Sequence, residues 1–203
     1  MTPIEKLRGA VESGRADAWL SGLYGHETAA SHGAGPAGSR TADTMAARSR
    51  YIGLIDDACR RGFPGSADMS AADPAVLVSA PGRTELGGNH TDHNGGLVLA
   101  AAVDLDIAGF AAARTDMVAA GISGDISFSV DLGTLDPVPA ERGTAAALVR
   151  GVAAALSRRG RRIGGFFTAA DSRVPIGSGL SSSAAFEIFI GTIFSTLYNG
   201  GEI

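Results

Sequence analysis

Cysteine is almost missing from this chain: Cys59 is the only one in 203 residues. That excludes a disulfide framework and a cysteine-rich metal site. Long apolar runs are missing too. No stretch reaches the roughly 20 apolar residues of a membrane span. Ala184 to Leu197 comes nearest, and Glu187 interrupts it. Met1 to Arg8 is charged and lacks the apolar centre of a signal peptide. Basic blocks are confined to Arg158-Arg159 and Arg161-Arg162, which flank Gly160 at a predicted helix end, where cations complement the dipole. The formal net charge is −4. The chain therefore carries no electrostatic footprint for nucleic acid and no segment for a membrane. These absences point to a cytoplasmic enzyme or binding protein.

What is present is ordinary in bulk. Hydrophobic residues make up 45% and charged residues 19%, as in a soluble globular protein long enough for one or two domains with a substantial core. Glycine is the exception. The 29 glycines are about twice the usual share, and they cluster in turns without a period.

The apolar spacing predicts two helical pieces over residues 1–24, with Ile4, Leu7 and Val11 on one face, a stop at Gly14, and Trp19, Leu20 and Leu23 beyond it. Residues 25–41 read as a flexible loop that holds His26 and His32. A helix from about Asp43 to Arg61 follows, with Met45, Ile52, Ile55 and Cys59 predicted on one face. Strands are expected at Val76–Ser79, Leu97–Val103, Leu105–Ala113, Met117–Ile122, Ile126–Val130 and Phe166–Ala170, in an antiparallel or mixed sheet. Thr144 is placed to cap a helix running to Arg159. A last helix from Ser181 to Tyr198 carries apolar residues nearly all the way round, so it is expected to be buried on most sides. Only Asn199 to Ile203 follow it. Either another chain covers its outer faces, or these residues are the front part of a longer protein.

The stretch Val174-Pro175-Ile176-Gly177-Ser178-Gly179-Leu180-Ser181-Ser182-Ser183 is a glycine-rich turn running straight into that helix. Gly177 and Gly179 permit positive φ and close approach of a ligand to the backbone. Ser181, Ser182 and Ser183 can cap the helix. Its first N–H groups have no intrahelical partner and lie at the positive end of the dipole, which suits a phosphate. The P-loop is excluded, because Leu180 follows Gly179 where that motif needs lysine. The dinucleotide fingerprint fails at its third glycine, where Ser182 stands. A nucleotide bound here would meet backbone amides and hydroxyls, and its charge would call for Mg²⁺ held by a serine hydroxyl and a carboxylate.

A second stretch, Gly82 to Gly96, sets Arg83, Glu85, Asn89, His90, Asp92, His93 and Asn94 among glycines. His90, Asp92 and His93 are metal-ligand types. They lie too close together to share a helical face, and no distant Cys or His cluster completes a shell. A glycine-rich hairpin with solvated side chains is the plainer alternative. Asn, His and Asp together also supply the mixed donors and acceptors that neighbouring sugar hydroxyls need. Arg83 supplies fixed positive charge for a phosphate or carboxylate.

These residues carry a resemblance. GRTELGGNHTDHNGG, from Gly82 to Gly96, resembles the galactokinase signature G-R-x-N-x-I-G-E-H-T-D-Y-N-G-G. Pro175 to Ala185 resembles the second motif of the GHMP kinase superfamily, P-x-G-x-G-L-S-S-S-A. The two motifs occur in the family's order, and the resemblance covers roughly residues 76–198. It implies an α+β fold, the GHMP-kinase N-terminal domain related to domain 2 of ribosomal protein S5. That domain would span 75–203, without a C-terminal domain, behind a helical N-terminal extension at 1–74.

The resemblance also implies a galactokinase, which transfers the γ-phosphoryl group of ATP to the anomeric hydroxyl of galactose with Mg²⁺. Arg83 matches the catalytic arginine beside the transferred group. Glu85, Asn89, His90 and Asp92 match the sugar-binding segment. Gly177, Ser178, Gly179, Leu180, Ser181 and Ser182 match the loop around the ATP phosphates, and Ser183 matches the Mg²⁺ ligand. Three positions depart from the family. Glu85 stands for Asn, Asn89 for Glu, and His93 for Tyr, which leaves the sugar preference open. The family's catalytic Asp and Mg²⁺-binding Glu usually follow the second motif. Neither Asp171 nor Glu187 sits where they are expected, so these 203 residues are expected to catalyse little alone. The missing C-terminal half, or self-association, is the expected partner. A non-catalytic sugar or nucleotide sensor on the same fold is the alternative.

Overall fold

A computed structural model describes residues 2–24, 37–61, 74–88 and 94–203. Helices α1 (Pro3–Glu12), α2 (Asp17–Tyr24) and α3 (Ala37–Arg61) come first, followed by strands β1 (Ala75–Gly87), β2 (Leu99–Ala113), β3 (Val118–Ser123) and β4 (Ile126–Asp131). A short 3-10 turn at Pro139–Glu141 precedes α4 (Ala145–Arg158), β5 (Phe166–Ser172) and α5 (Ser182–Tyr198). The sheet order is β1-β2-β5-β3-β4. All pairings are antiparallel except β3 with β5, which is parallel. The expected mixed sheet is thus observed.

Both faces of the sheet are covered. Consecutive residues of a strand point to opposite faces, so Phe166 and Phe167 enter different cores. Phe166 joins Ile107, Ala111, Phe189 and Phe194 beneath α4 and α5. Phe167 joins Phe110, Ile4 and Ile55 beneath α1 and α3. Edge-to-face packing at 5.3 Å between Phe166 and Phe194 locks α5 to β5. Each of these rings is fully buried, which contributes roughly 1.5–3 kcal/mol relative to exposure. Threonine caps begin two of the helices. Thr2 and Glu5 form a reciprocal box at α1, and the Thr144 side chain accepts from the Ala147 N–H at α4. Among the described residues no helix is long and apolar enough to cross a membrane.

Several expectations change. α3 starts at Ala37, so residues 37–41 are helical, while residues 25–36, with His26 and His32, lie outside the described residues. The buried stripe of α3 is Ala47, Tyr51, Ile55 and Ala58, and Met45 is 59% exposed. Small and half-polar residues form the contact because α3 packs close against the sheet. The two strands expected at 97–113 are one continuous β2, and β1 runs to Gly87, well into the polar motif. α5 buries one side only. Ala185, Phe189, Ile190, Ile193 and Phe194 face the core, whereas Ile188 is 61% exposed.

Candidate active site

The two sequence motifs meet at the end of the sheet. The backbone N–H of Arg83 donates to the Leu180 carbonyl at 3.1 Å. Contact between β1 and the glycine loop is close enough that a Cβ on Gly82 would stand 3.1 Å from the Leu180 carbonyl oxygen, Val103 Cγ2 and Val174 Cγ1. Arg83 and Glu85 pair with Ala102 and Ala100 of β2. Being two residues apart on one strand, they share a side. Asn89, His90 and Asp92 lie outside the described residues.

The loop has the backbone its glycines permit. Gly177 has φ +75° and Gly179 +79°, with open space around each. Ser178 braces the turn from within. Its hydroxyl donates to the Pro175 carbonyl at 2.8 Å and accepts from the Leu180 N–H at 3.4 Å. Ser181 occupies the N-cap position of α5 in the left-handed conformation, φ 57° and ψ 52°, and its side chain makes no cap hydrogen bond. The expected serine cap is therefore not made. A left-handed backbone turns the Ser181 hydroxyl off the usual capping path, so the first turn of α5 is not closed by its own cap residue.

Beside this helix start lies a cavity of about 320 Å³. Ile107, Ile122, Phe128, Leu148, Phe186 and Phe189 form much of its wall, and Ser182 and Ser183 stand on its border. None of the described residues lining it is charged. Its size and its mix of apolar wall with a few hydroxyls suit a flat heterocyclic ring. Phe186 and Phe189 were legible only as core residues of α5. Thr144, read as a helix cap, also borders the cavity.

The two acids nearest the loop in sequence are placed away from it. Glu187 is exposed on α5, not part of a buried face. The Asp171 carboxylate accepts from Arg50 Nε at 2.7 Å on the α3 side of the sheet, opposite α4 and α5. Arg50 also donates from Nη1 to Asp106 Oδ1 at 2.6 Å and from Nη2 to the Asp171 carbonyl at 2.8 Å. Asp106 Oδ2 accepts from Tyr24 and Ser79 hydroxyls, each at 2.6 Å. Burial pushes the Asp106 carboxyl up. The hydrogen bonds from Ser79, Tyr24 and Arg50 outweigh that push and hold it below the usual carboxylate range. Burial likewise raises the phenols of Tyr24 and Tyr51. This cluster was not legible as a unit in the sequence. The one available signal was an acid, Asp106, inside an apolar strand.

The galactokinase galactose-binding signature matches residues 67–113, and the GHMP kinase N-terminal domain matches residues 147–202. The chain has the fold of a GHMP-kinase N-terminal domain. It is 30% identical to the galactokinase of Lactococcus lactis solved with galactose, with a TM-score of 0.54 over 61% of this chain and 32% of that one. It is 21% identical to the mevalonate kinase of Methanococcus jannaschii, with a TM-score of 0.48 over 61% of this chain and 40% of that one. The chain thus spans about a third of the length of the galactokinase it matches. Its first matched segment contains Arg83 and Glu85, and its second contains the loop from Gly177 to Ser183.

Proposed function

We propose that this domain binds ATP and galactose, or a closely related sugar, for transfer of the γ-phosphoryl group to the anomeric hydroxyl. The observation that carries the reading is the hydrogen bond from Arg83 N–H to the Leu180 carbonyl, which joins the galactokinase signature to the phosphate-type loop. In this reading residues 75–203 form the kinase domain, and residues 1–74 are an extension whose helices α1, α2 and α3 pack against it.

The sugar oxygen attacks the γ-phosphorus, the bond to the β-phosphate oxygen breaks, ADP leaves, and the hydroxyl proton passes to a base. Arg83 stabilises charge gathering on the transferred group. Glu85, Asn89, His90 and Asp92 hold the sugar hydroxyls. Backbone amides from Gly177 to Ser182 cradle the phosphates, with the Ser178 hydroxyl committed to the loop itself. The uncapped first turn of α5 fits a polyphosphate, and the apolar cavity fits the base. Ser183, exposed at the helix start, offers a hydroxyl to Mg²⁺, which neutralises phosphate charge when bound. Asp171 is engaged by Arg50 and Glu187 is solvated, so neither is placed as the base.

The test is phosphoryl transfer from radiolabelled MgATP to galactose, N-acetylgalactosamine and glucose, by this chain and by its reading frame extended downstream. Transfer to a galactose-type sugar by the extended form alone is expected. Transfer by the 203-residue chain would overturn the placement of the acids. Binding of both ligands without transfer in either form would favour the sensor, a reading that the exchanged residues Glu85 and Asn89 also fit. In an active form, Ser183→Ala is expected to reduce the rate severely and weaken its dependence on Mg²⁺. Unchanged kinetics would remove that role.

A further inference from the structure

The cluster around Arg50 lies outside the loop and the cavity, yet it sits where the two motifs leave the sheet. Pro81 pairs with Asp106, and the register then slips before Arg83 pairs with Ala102. β5 ends at Ser172, and the N–H of Arg173 donates to the Asp106 carbonyl at 2.8 Å on the way to the glycine loop. Asp106 is thus the point at which β1 departs toward Arg83 and β5 departs toward Gly177. Arg50 fixes that point with three separate donors, to Asp106, to the Asp171 carboxylate and to the Asp171 backbone.

The Arg50 side chain is 7% exposed. A buried ion pair of this kind is a poor source of net stability compared with apolar packing. Its geometric specificity is high, because the planar guanidinium accepts only one arrangement of three acceptors.

We propose that Arg50 is a positioning residue for the nucleotide and sugar site. Through Asp106 and Asp171 it sets the ends of β1 and β5 relative to each other, and so aligns Arg83 with the loop from Gly177 to Ser183. Helix α3, and α2 through Tyr24, become part of the support of the site. This inference rests on the loop being a nucleotide site.

The test compares MgATP affinity, by titration calorimetry, with thermal stability in wild type, Arg50→Gln, Arg50→Lys and Ile55→Val. Ile55 is fully buried on the same helix and does not touch the cluster's hydrogen bonds. Arg50→Gln is expected to weaken MgATP binding about tenfold, as displacement of a site by its supports does. Arg50→Lys, which keeps the charge but not the fork, is expected to fall between. Ile55→Val is expected to lower Tm while leaving the Kd within about twofold. Folded Arg50→Gln with wild-type affinity would overturn the proposal, as would an equal loss in Ile55→Val at matched Tm. Should Arg50→Gln not fold, Asp171→Asn, whose side chain is 46% exposed, is expected to weaken binding about threefold, and unchanged affinity there overturns it. Absence of MgATP binding in wild type would instead bring down the nucleotide reading beneath it.

Discussion

Gly82→Ala probes the junction of the two motifs directly. Gly82 does not have a left-handed φ, so alanine there meets no backbone strain and its cost is steric alone. The added methyl would stand 3.1 Å from each of three atoms, two of them valine methyls and one a backbone carbonyl oxygen. The valines can shift by a few tenths of an ångström, but the carbonyl moves only with the loop, and it accepts the Arg83 hydrogen bond. Overpacking of this size costs about 1–3 kcal/mol, which for a domain of this length lowers Tm by roughly 3–10 °C. Val174→Ala removes one of the three contacts. Combined with Gly82→Ala it is therefore expected to cost less than the sum of the singles, by about 0.5–1 kcal/mol in a double-mutant cycle. The assay is paired thermal and urea denaturation, with MgATP affinity as a second readout, because the loop carbonyl is pushed as well. Gly177→Ala is the contrast: its methyl meets nothing within 4 Å, but its φ is +75°, so its cost is conformational and no neighbouring truncation relieves it. A neutral Gly82→Ala, or strict additivity with Val174→Ala, would refute the close approach of β1 to the loop.

Two further outcomes follow from local geometry. Asp106 has a folded-state pKa below its unfolded value. Its stabilising effect is therefore fully present above the ordinary carboxylate range near about 4 and is lost as pH falls through the lowered value. Asp106→Asn is expected to lower stability at pH 7 and to flatten the acid limb of a stability profile; an unchanged acid limb would count against the cluster. Ser181→Ala is expected to cost well under the ~1 kcal/mol typical of a lost N-cap, because the Ser181 side chain makes no cap hydrogen bond, whereas Thr144→Ala is expected to cost about that amount. Denaturant melts of the two variants decide it, and equal losses would contradict the left-handed Ser181.

The elements legible in the sequence were those with clear punctuation. Thr144 and Gly14 mark helix ends that the structure reproduces. Gly177 and Gly179 announced a turn with positive φ. Strand β2 was split in two because small residues and Asp104 and Asp106 weaken its apolar period, and that period matters less once both faces are covered. The face of α3 was misjudged because Ala47 and Tyr51, not Met45, make the close contact. The Arg50 cluster was invisible because its members come from α2, α3, β1, β2 and β5, and no local pattern links them. The same holds for the cavity, whose wall joins β2, β3, β4, β5, α4 and α5. Arg83 and the glycine loop could be named from the motifs, but the hydrogen bond between them belongs to tertiary structure.

The place of β5 in the sheet has a kinetic consequence. β1 with β2, and β3 with β4, are pairs of chain neighbours, yet β2 and β3 are not paired with each other; β5 lies between them. Each pair closes over a short stretch of chain, which is fast, whereas β5 closes long loops on both sides, which is slow. As a chain emerges from the ribosome, two separate hairpins would wait for residues 166–172 before the sheet becomes one. The glycine loop and α5 come next in the chain. Assembly of the sheet and assembly of the glycine loop are thus a single late event, and a nascent chain acquires the proposed nucleotide site only at the moment its core closes.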